Sequence, residues 1–172
     1  MKKHVAHSSV QTDKFVFSCE NLEKVEQILA RYPSSHKRSA VLPLLHLVQE
    51  QNENWIPIAA MDYIAQLLDM PVIRVYEVAS FYSMFNTAPV GKYLIQVCRT
   101  TPCWLRGADR ICNAIAKELS IRVGQSTEDG KFSLVEVECL GACVNAPVIQ
   151  INNDYFEELD EKSVIRLISK LK

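Results

Sequence analysis

The sequence has no run approaching the ~20 apolar residues that a membrane helix needs, and its opening, Met1-Lys-Lys-His-Val-Ala-His-Ser-Ser-Val10, holds no apolar stretch of signal-peptide length. It also lacks a dominant charge. With 19 basic and 20 acidic residues the net charge is −1, which excludes the positive field of a nucleic-acid binder and the polybasic face of a membrane-surface protein. A nucleophile elbow, a P-loop and a dinucleotide glycine fingerprint are all missing, so no independent substrate or nucleotide site is marked. There are no repeats and no low-complexity tracts. These absences describe a chain expected to be intracellular and soluble in itself, with proteins as partners and no nucleic acid among them.

What the sequence does have is cysteine. Four of the six fall into two close pairs, Cys98-Arg-Thr-Thr-Pro-Cys103 and Cys139-Leu-Gly-Ala-Cys143. In a reducing compartment such pairs read as metal or redox ligands before they read as disulfides. Neither pair has the C-x-x-C spacing of a thioredoxin dithiol, which sets exchange chemistry aside. Four-cysteine zinc sites favour the tighter C-x2-C knuckle, whereas C-x4-C suits two sulfurs reaching across a larger, flatter cluster. The spacing therefore favours a [2Fe–2S] centre, with structural zinc as the other reading. The plant-type ferredoxin spacing, C-x4-C-x2-C, is absent.

Residues around the pairs fit a cluster. Gly141 lets the backbone approach a sulfur and offer an N–H, and the hydroxyls of Thr100 and Thr101 are further candidate donors. Leu140, Val144 and Trp104 are expected to oppose the cluster's charge by desolvation. Cys19 and Cys112 have no close partner in the sequence, and they read as a free thiol and a core-facing helix residue. The histidines His4, His7, His36 and His46 stand at no ligand spacing and read as surface or capping residues.

Periodicity divides the chain into a flexible N-terminal segment (1–19), a helical bundle (20–86) and a mixed domain (87–172), an α+β or α/β organisation. The spacing predicts four helices in the bundle: one after an Asn21 cap to Tyr32-Pro33, one from Ser35 or Ser39 to Gln51, one opened by Pro57 and one opened by Pro71. The aromatic run Phe81-Tyr82-Ser83-Met84-Phe85 is assigned to the core, with a partner surface as the other reading. After the linker 86–91 the period changes. Strands are expected at 93–97 and 132–138, each delivering a cysteine pair in the following loop, with a helix from Leu105 to Leu119 between them. A hairpin at 148–156 and a helix from Glu161 to Leu171 capped by Asp160 close the chain.

Cys98-Arg-Thr-Thr-Pro-Cys-Trp-Leu-Arg-Gly107 and Glu138-Cys-Leu-Gly-Ala-Cys-Val-Asn-Ala-Pro147 resemble the two cluster-binding loops of the 24-kDa subunit family of respiratory complex I, which in bacteria is the E subunit of NADH-quinone oxidoreductase. The likeness extends to Tyr32-Pro33, Ser39-Ala40, Trp55-Ile56, Tyr63-Ile-Ala65, Val75-Tyr-Glu-Val-Ala79, Phe81-Tyr82 and Pro89-Val-Gly-Lys92, and covers about residues 15–171. The resemblance implies an antiparallel helical bundle followed by a thioredoxin-like ferredoxin domain, with Cys98, Cys103, Cys139 and Cys143 holding one [2Fe–2S] cluster. It further implies an iron–sulfur subunit without a complete active site of its own. That subunit would pack against the flavoprotein carrying the FMN and NADH sites and against other peripheral-arm subunits. Its cluster would exchange electrons with the FMN off the main chain of clusters. The location implied is the cytoplasmic side of a bacterial inner membrane, touched only indirectly through the complex. Related diaphorase subunits of NAD-linked hydrogenases and formate dehydrogenases share both loops, and Ala146-Pro147 is similar in place to the cis-proline of thioredoxin.

Overall fold

The structure, a computed structural model, describes residue 12 and residues 14–171. Of the segment 1–19, residues 1–11 and 13 therefore lie outside the described residues, as do His4 and His7. The chain divides into two compact units, with the boundary between Pro89 and Val90. Among the described residues there are seven α-helices, two 3-10 segments and four strands, an α+β chain.

The first unit is helical: α1 (Cys19–Ala30), a 3-10 segment (Ser34–Ala40), α2 (Val41–Gln51), α3 (Ile58–Leu67) and α4 (Val72–Phe81). Helix α1 starts earlier than an Asn21 cap predicts, because the hydroxyl of Ser18 accepts the Asn21 amide at 3.3 Å. Just before it, Phe17 is buried and meets Phe15 and Tyr63 edge-on, so the described end of segment 1–19 is packed onto this unit. The second expected helix is a 3-10 segment followed by α2, with His36 at φ −124° breaking the helical path and Pro43 in the first turn of α2, where its missing N–H costs nothing. Pro57 and Pro71 sit at cap positions in extended conformation, one residue before the helices they open. Helix α2 packs against α1, α3 and α4, and its Leu44, Leu45 and Val48 have no exposure. The aromatic run departs from expectation. Helix α4 ends at Phe81, and only Phe85 is buried; Phe81 is 80% exposed, with Tyr82 and Met84 also at the surface.

The second unit is a four-stranded mixed sheet with helices. Its elements are β1 (Tyr93–Cys98), α5 (Thr101–Leu105), α6 (Ala108–Leu119), β2 (Phe132–Val137), a 3-10 turn (Cys143–Asn145), β3 (Ile149–Ile151), β4 (Asp154–Phe156) and α7 (Glu161–Leu171). Strand order is β2-β1-β3-β4, with β1 parallel to β2 and the other two pairings antiparallel. Such a parallel pair needs a long crossover, which α5 and α6 supply. Helices α6 and α7 pack on each other, and Ile115, Val164 and Ile168 share one core with Ile95, Leu134 and Ile149. The turn Asn152-Asn153 joins β3 and β4, and Asn152 takes φ +53°, which Asn tolerates. Asp160 caps α7 as expected: its carboxylate accepts the Ser163 amide at 2.6 Å while the Ser163 hydroxyl accepts the Asp160 amide at 2.8 Å.

The path of the chain into the sheet depends on Gly91. A Cβ there would stand 2.5 Å from the backbone carbon of Phe132, so only glycine lets the chain pass this close to β2. The Gly91 amide donates to the hydroxyl of Ser133, a buried polar residue that also bonds Ser126, and this fixes the start of β1 beside β2.

Candidate metal centre

Parallel pairing places the two cysteine loops at one sheet edge. Cys98, the last residue of β1, is partnered with Val137, the last residue of β2, and Cys139 follows two residues on. A break between helices then sets the position of Cys103. The helix expected from Leu105 to Leu119 forms as α6, starting at Ala108, and the stretch expected as a loop before it holds a further short helix, α5, separated from α6 at Gly107 with φ +93°. Pro102 lies in the first turn of α5, so Cys103 is on a short helix and not in a loop. Cys98 and Cys103 are buried together with Ala108, Ala146 and Val148, and Leu140 packs against them from the second loop.

The second pair is open to solvent. Gly141 adopts φ +87°, turning its N–H back onto the sulfur of Cys139 at 3.3 Å, and the Cys139 and Cys143 sulfurs are 3.5 Å apart. Ala146–Pro147 is a cis peptide, and Val148 beyond it bonds the first loop from both sides: its carbonyl accepts the Cys98 amide at 3.2 Å, and its amide donates to the Cys103 sulfur.

Each sulfur feels a different field. Burial opposes ionisation of Cys98. The Thr100 hydroxyl at 3.3 Å, the Thr100 and Leu140 amides and the Cys103 thiol overcome it, holding Cys98 below the ordinary thiol value. Burial, then its bond to Cys98, pushes Cys103 up to about 11. The Gly141 amide, then Cys143, lowers Cys139, to which the Thr100 hydroxyl also bonds, while Cys143 is raised mainly by that same bond to Cys139. In each pair one sulfur is thus the more readily ionised, Cys98 over Cys103 and Cys139 over Cys143.

The donor set suits a metal centre, since four thiols with amide and hydroxyl donors aimed at them are what a thiolate-bound cluster requires. The sulfurs stand as two pairs. Among the described residues no three of His, Cys, Asp or Glu converge as the ligands of a single ion would.

Of the other expected contributors, Thr100 lies between the two pairs and touches both. Thr101 opens α5 at the surface, with no bond to a sulfur among the described residues. Leu140 desolvates the site, but Val144 is 97% and Trp104 56% exposed, because the turn after Cys143 and the outer side of α5 carry them outward. Cys112 is buried on α6, the core-facing helix position read for it, whereas Cys19, read as a free thiol of segment 1–19, is exposed but opens α1. His36 and His46 are exposed residues of the helical unit. Sequence reasoning missed the amides of Leu140 and Val148, which carry no side-chain signal.

Known proteins resemble this chain over most of its length. The family model for the thioredoxin-like [2Fe-2S] ferredoxin matches residues 25–172. The NADH-quinone oxidoreductase E subunit of Rickettsia typhi is 56% identical over 156 residues, which are 91% of this chain and 92% of that one. Mitochondrial NADH dehydrogenase [ubiquinone] flavoprotein 2 of Dictyostelium discoideum is 51% identical over 158 residues, 92% of this chain and 64% of that one. Among solved structures, a chain of an NAD+-reducing [NiFe]-hydrogenase in the air-oxidized state aligns with TM-score 0.66 and 26% identity, covering 76% of this chain. This chain spans only 22% of that hydrogenase chain.

Proposed function

Because the chain belongs to the thioredoxin-like [2Fe-2S] ferredoxin family, we propose that it serves as the iron–sulfur electron-transfer subunit of an NADH-quinone oxidoreductase, with Cys98, Cys103, Cys139 and Cys143 as cluster ligands. The observation that carries this reading is the convergence of both cysteine pairs on one sheet edge, where the parallel register of β1 and β2 brings them. When bound, a [2Fe–2S] centre supplies one-electron redox chemistry.

The chain's own residues prepare that site. The amides of Leu140, Gly141 and Val148 and the hydroxyl of Thr100 point at sulfurs, compensate negative charge there and orient the ligands. Burial of Cys98 and Cys103 keeps water from one side, while Cys139 and Cys143 leave the other side open for electron exchange with a partner.

The partner in this reading is the flavoprotein that holds FMN and NADH, and the flanking apolar residues Trp104, Leu105 and Val144 are its docking face. The domain at 87–172 carries the centre, and the helical segment 20–86 contributes surface for further peripheral-arm subunits, among them the exposed Phe81. Among the described residues no helix is long and apolar enough to cross a membrane; in this reading the subunit takes a peripheral place on the cytoplasmic face of the inner membrane. The hydrogenase likeness supports a second reading, a diaphorase subunit, in which the centre is retained and the complex differs.

The experiment is iron, zinc and acid-labile sulfide per chain after anaerobic purification, with EPR after reduction and identification of the flavoprotein recovered with the native subunit. Two irons and two sulfides with a spin-half signal, beside a quinone-reducing complex, are expected. One zinc without sulfide would replace the redox function with a structural one.

A further inference from the structure

We propose that Arg99 and Glu136 form a positioning pair whose opposed charges cancel beside the cysteine site and thereby set its reduction potential. The inference rests on the cluster reading above. Arg99 directly follows Cys98, and Glu136 lies three residues before Cys139, so the pair joins the two ligand segments. Its guanidinium stands 3.6 Å from one carboxylate oxygen of Glu136, and the Arg99 amide donates to the Val137 carbonyl at 3.1 Å. The other carboxylate oxygen accepts from the buried Cys112 thiol of α6 at 3.9 Å. Glu136 is thus held from two sides, with its side chain 29% exposed.

A partly exposed ion pair at this distance contributes little to stability. Its effect lies instead in the charge it presents to a group that gains an electron. Unopposed, the Arg99 cation would favour the more negative, reduced form and raise the potential; unopposed, the Glu136 carboxylate would do the reverse. Paired, they leave the field near neutral. A structural tie alone predicts that removing either residue perturbs the site in the same sense. Charge cancellation predicts opposite senses.

The test is a double-mutant cycle on the full chain: Arg99→Gln, Glu136→Gln and both together, each measured for iron, sulfide and an EPR-monitored redox titration. At the wild-type midpoint, Glu136→Gln is expected to raise the reduced-to-oxidised ratio by roughly three- to tenfold and Arg99→Gln to lower it similarly, with the double variant within about twofold of wild type. Loaded single variants that shift in the same direction, or not at all, overturn the proposal. Should a single variant fail to load, the charge-keeping Glu136→Asp and Arg99→Lys must restore loading at a near wild-type potential, and their failure also overturns it. Wild-type protein without iron and sulfide would instead overturn the cluster reading itself.

Discussion

Cys98 and Val137 are register partners at the ends of two parallel strands, and this single pairing decides where the two cysteine pairs meet. Because the strands run the same way, the loops that leave them emerge at the same edge. A C-x4-C and a C-x3-C far apart in sequence thereby become neighbours, close enough for Thr100 and Leu140 to bond sulfurs of the opposite loop.

The first prediction separates ligands from the remaining cysteines. Cys103→Ser or Cys139→Ser should lose iron and sulfide or hold them weakly, since a hydroxyl is a harder and less readily ionised donor than a thiolate. Cys112→Ser should retain a cluster with an unchanged EPR spectrum, because Cys112 sits on α6 and bonds Glu136, not the other sulfurs. Loss of the cluster in Cys112→Ser with retention in Cys139→Ser would refute the assignment.

Gly141 yields the second. Nothing lies within 4 Å of a Cβ built there, so Gly141→Ala meets no clash, only the cost of φ +87° for an L-residue, about 1–2 kcal/mol. Relaxing that strain turns the amide away from the Cys139 sulfur. The expected result is a loaded protein with a lower reduction potential, read by redox titration, since a donor that favoured the reduced form is weakened. An unchanged potential would mean that the 3.3 Å contact does not tune the site.

How much of this was legible in the sequence follows from what each residue announces. The cysteine spacing, the strands and the Asp160 cap are side-chain patterns, and the strands and the cap stand close to where periodicity and spacing put them, while several helix starts differ. The break at Gly107 is hidden because apolar spacing runs through it, and only the positive φ of that residue reveals that α5 and α6 are separate. Phe81, Tyr82 and Met84 read as core on their hydrophobicity alone, but α4 ends at Phe81 and leaves them at the surface. The amides of Leu140 and Val148 are invisible for a different reason: every residue but proline has an N–H, and only the fold aims it.

A third prediction concerns Gly91. In Gly91→Ala the new methyl group would press on the Phe132 backbone, which cannot move aside like a flexible side chain. The loss is expected to reach about 1–3 kcal/mol, as for overpacking of a core, and to appear as a lower unfolding midpoint of the unit that holds the centre. Gly91, unlike Gly124, does not have a positive φ, so its substitution meets the close approach without backbone strain, whereas Gly124→Ala at φ +86° meets backbone strain without any close approach. An unchanged midpoint in Gly91→Ala would show that the close approach to β2 does not constrain the fold.

The last prediction uses pH at the start of α7. Bonds from the Ser163 side chain and then the Ser163 amide hold the Asp160 carboxyl below the ordinary carboxylate range. The folded value therefore lies below the unfolded one, so the ionised cap stabilises the fold fully above the unfolded value. That contribution fades as pH falls through the folded one. Asp160→Ala should accordingly melt at a lower temperature than wild type near neutral pH, with the difference shrinking as the solution is acidified below the carboxylate range. Circular-dichroism melts of both proteins across that range read this directly. A difference that persists undiminished in acid would show that the cap acts through its neutral hydrogen bonds to Ser163 and not through its charge.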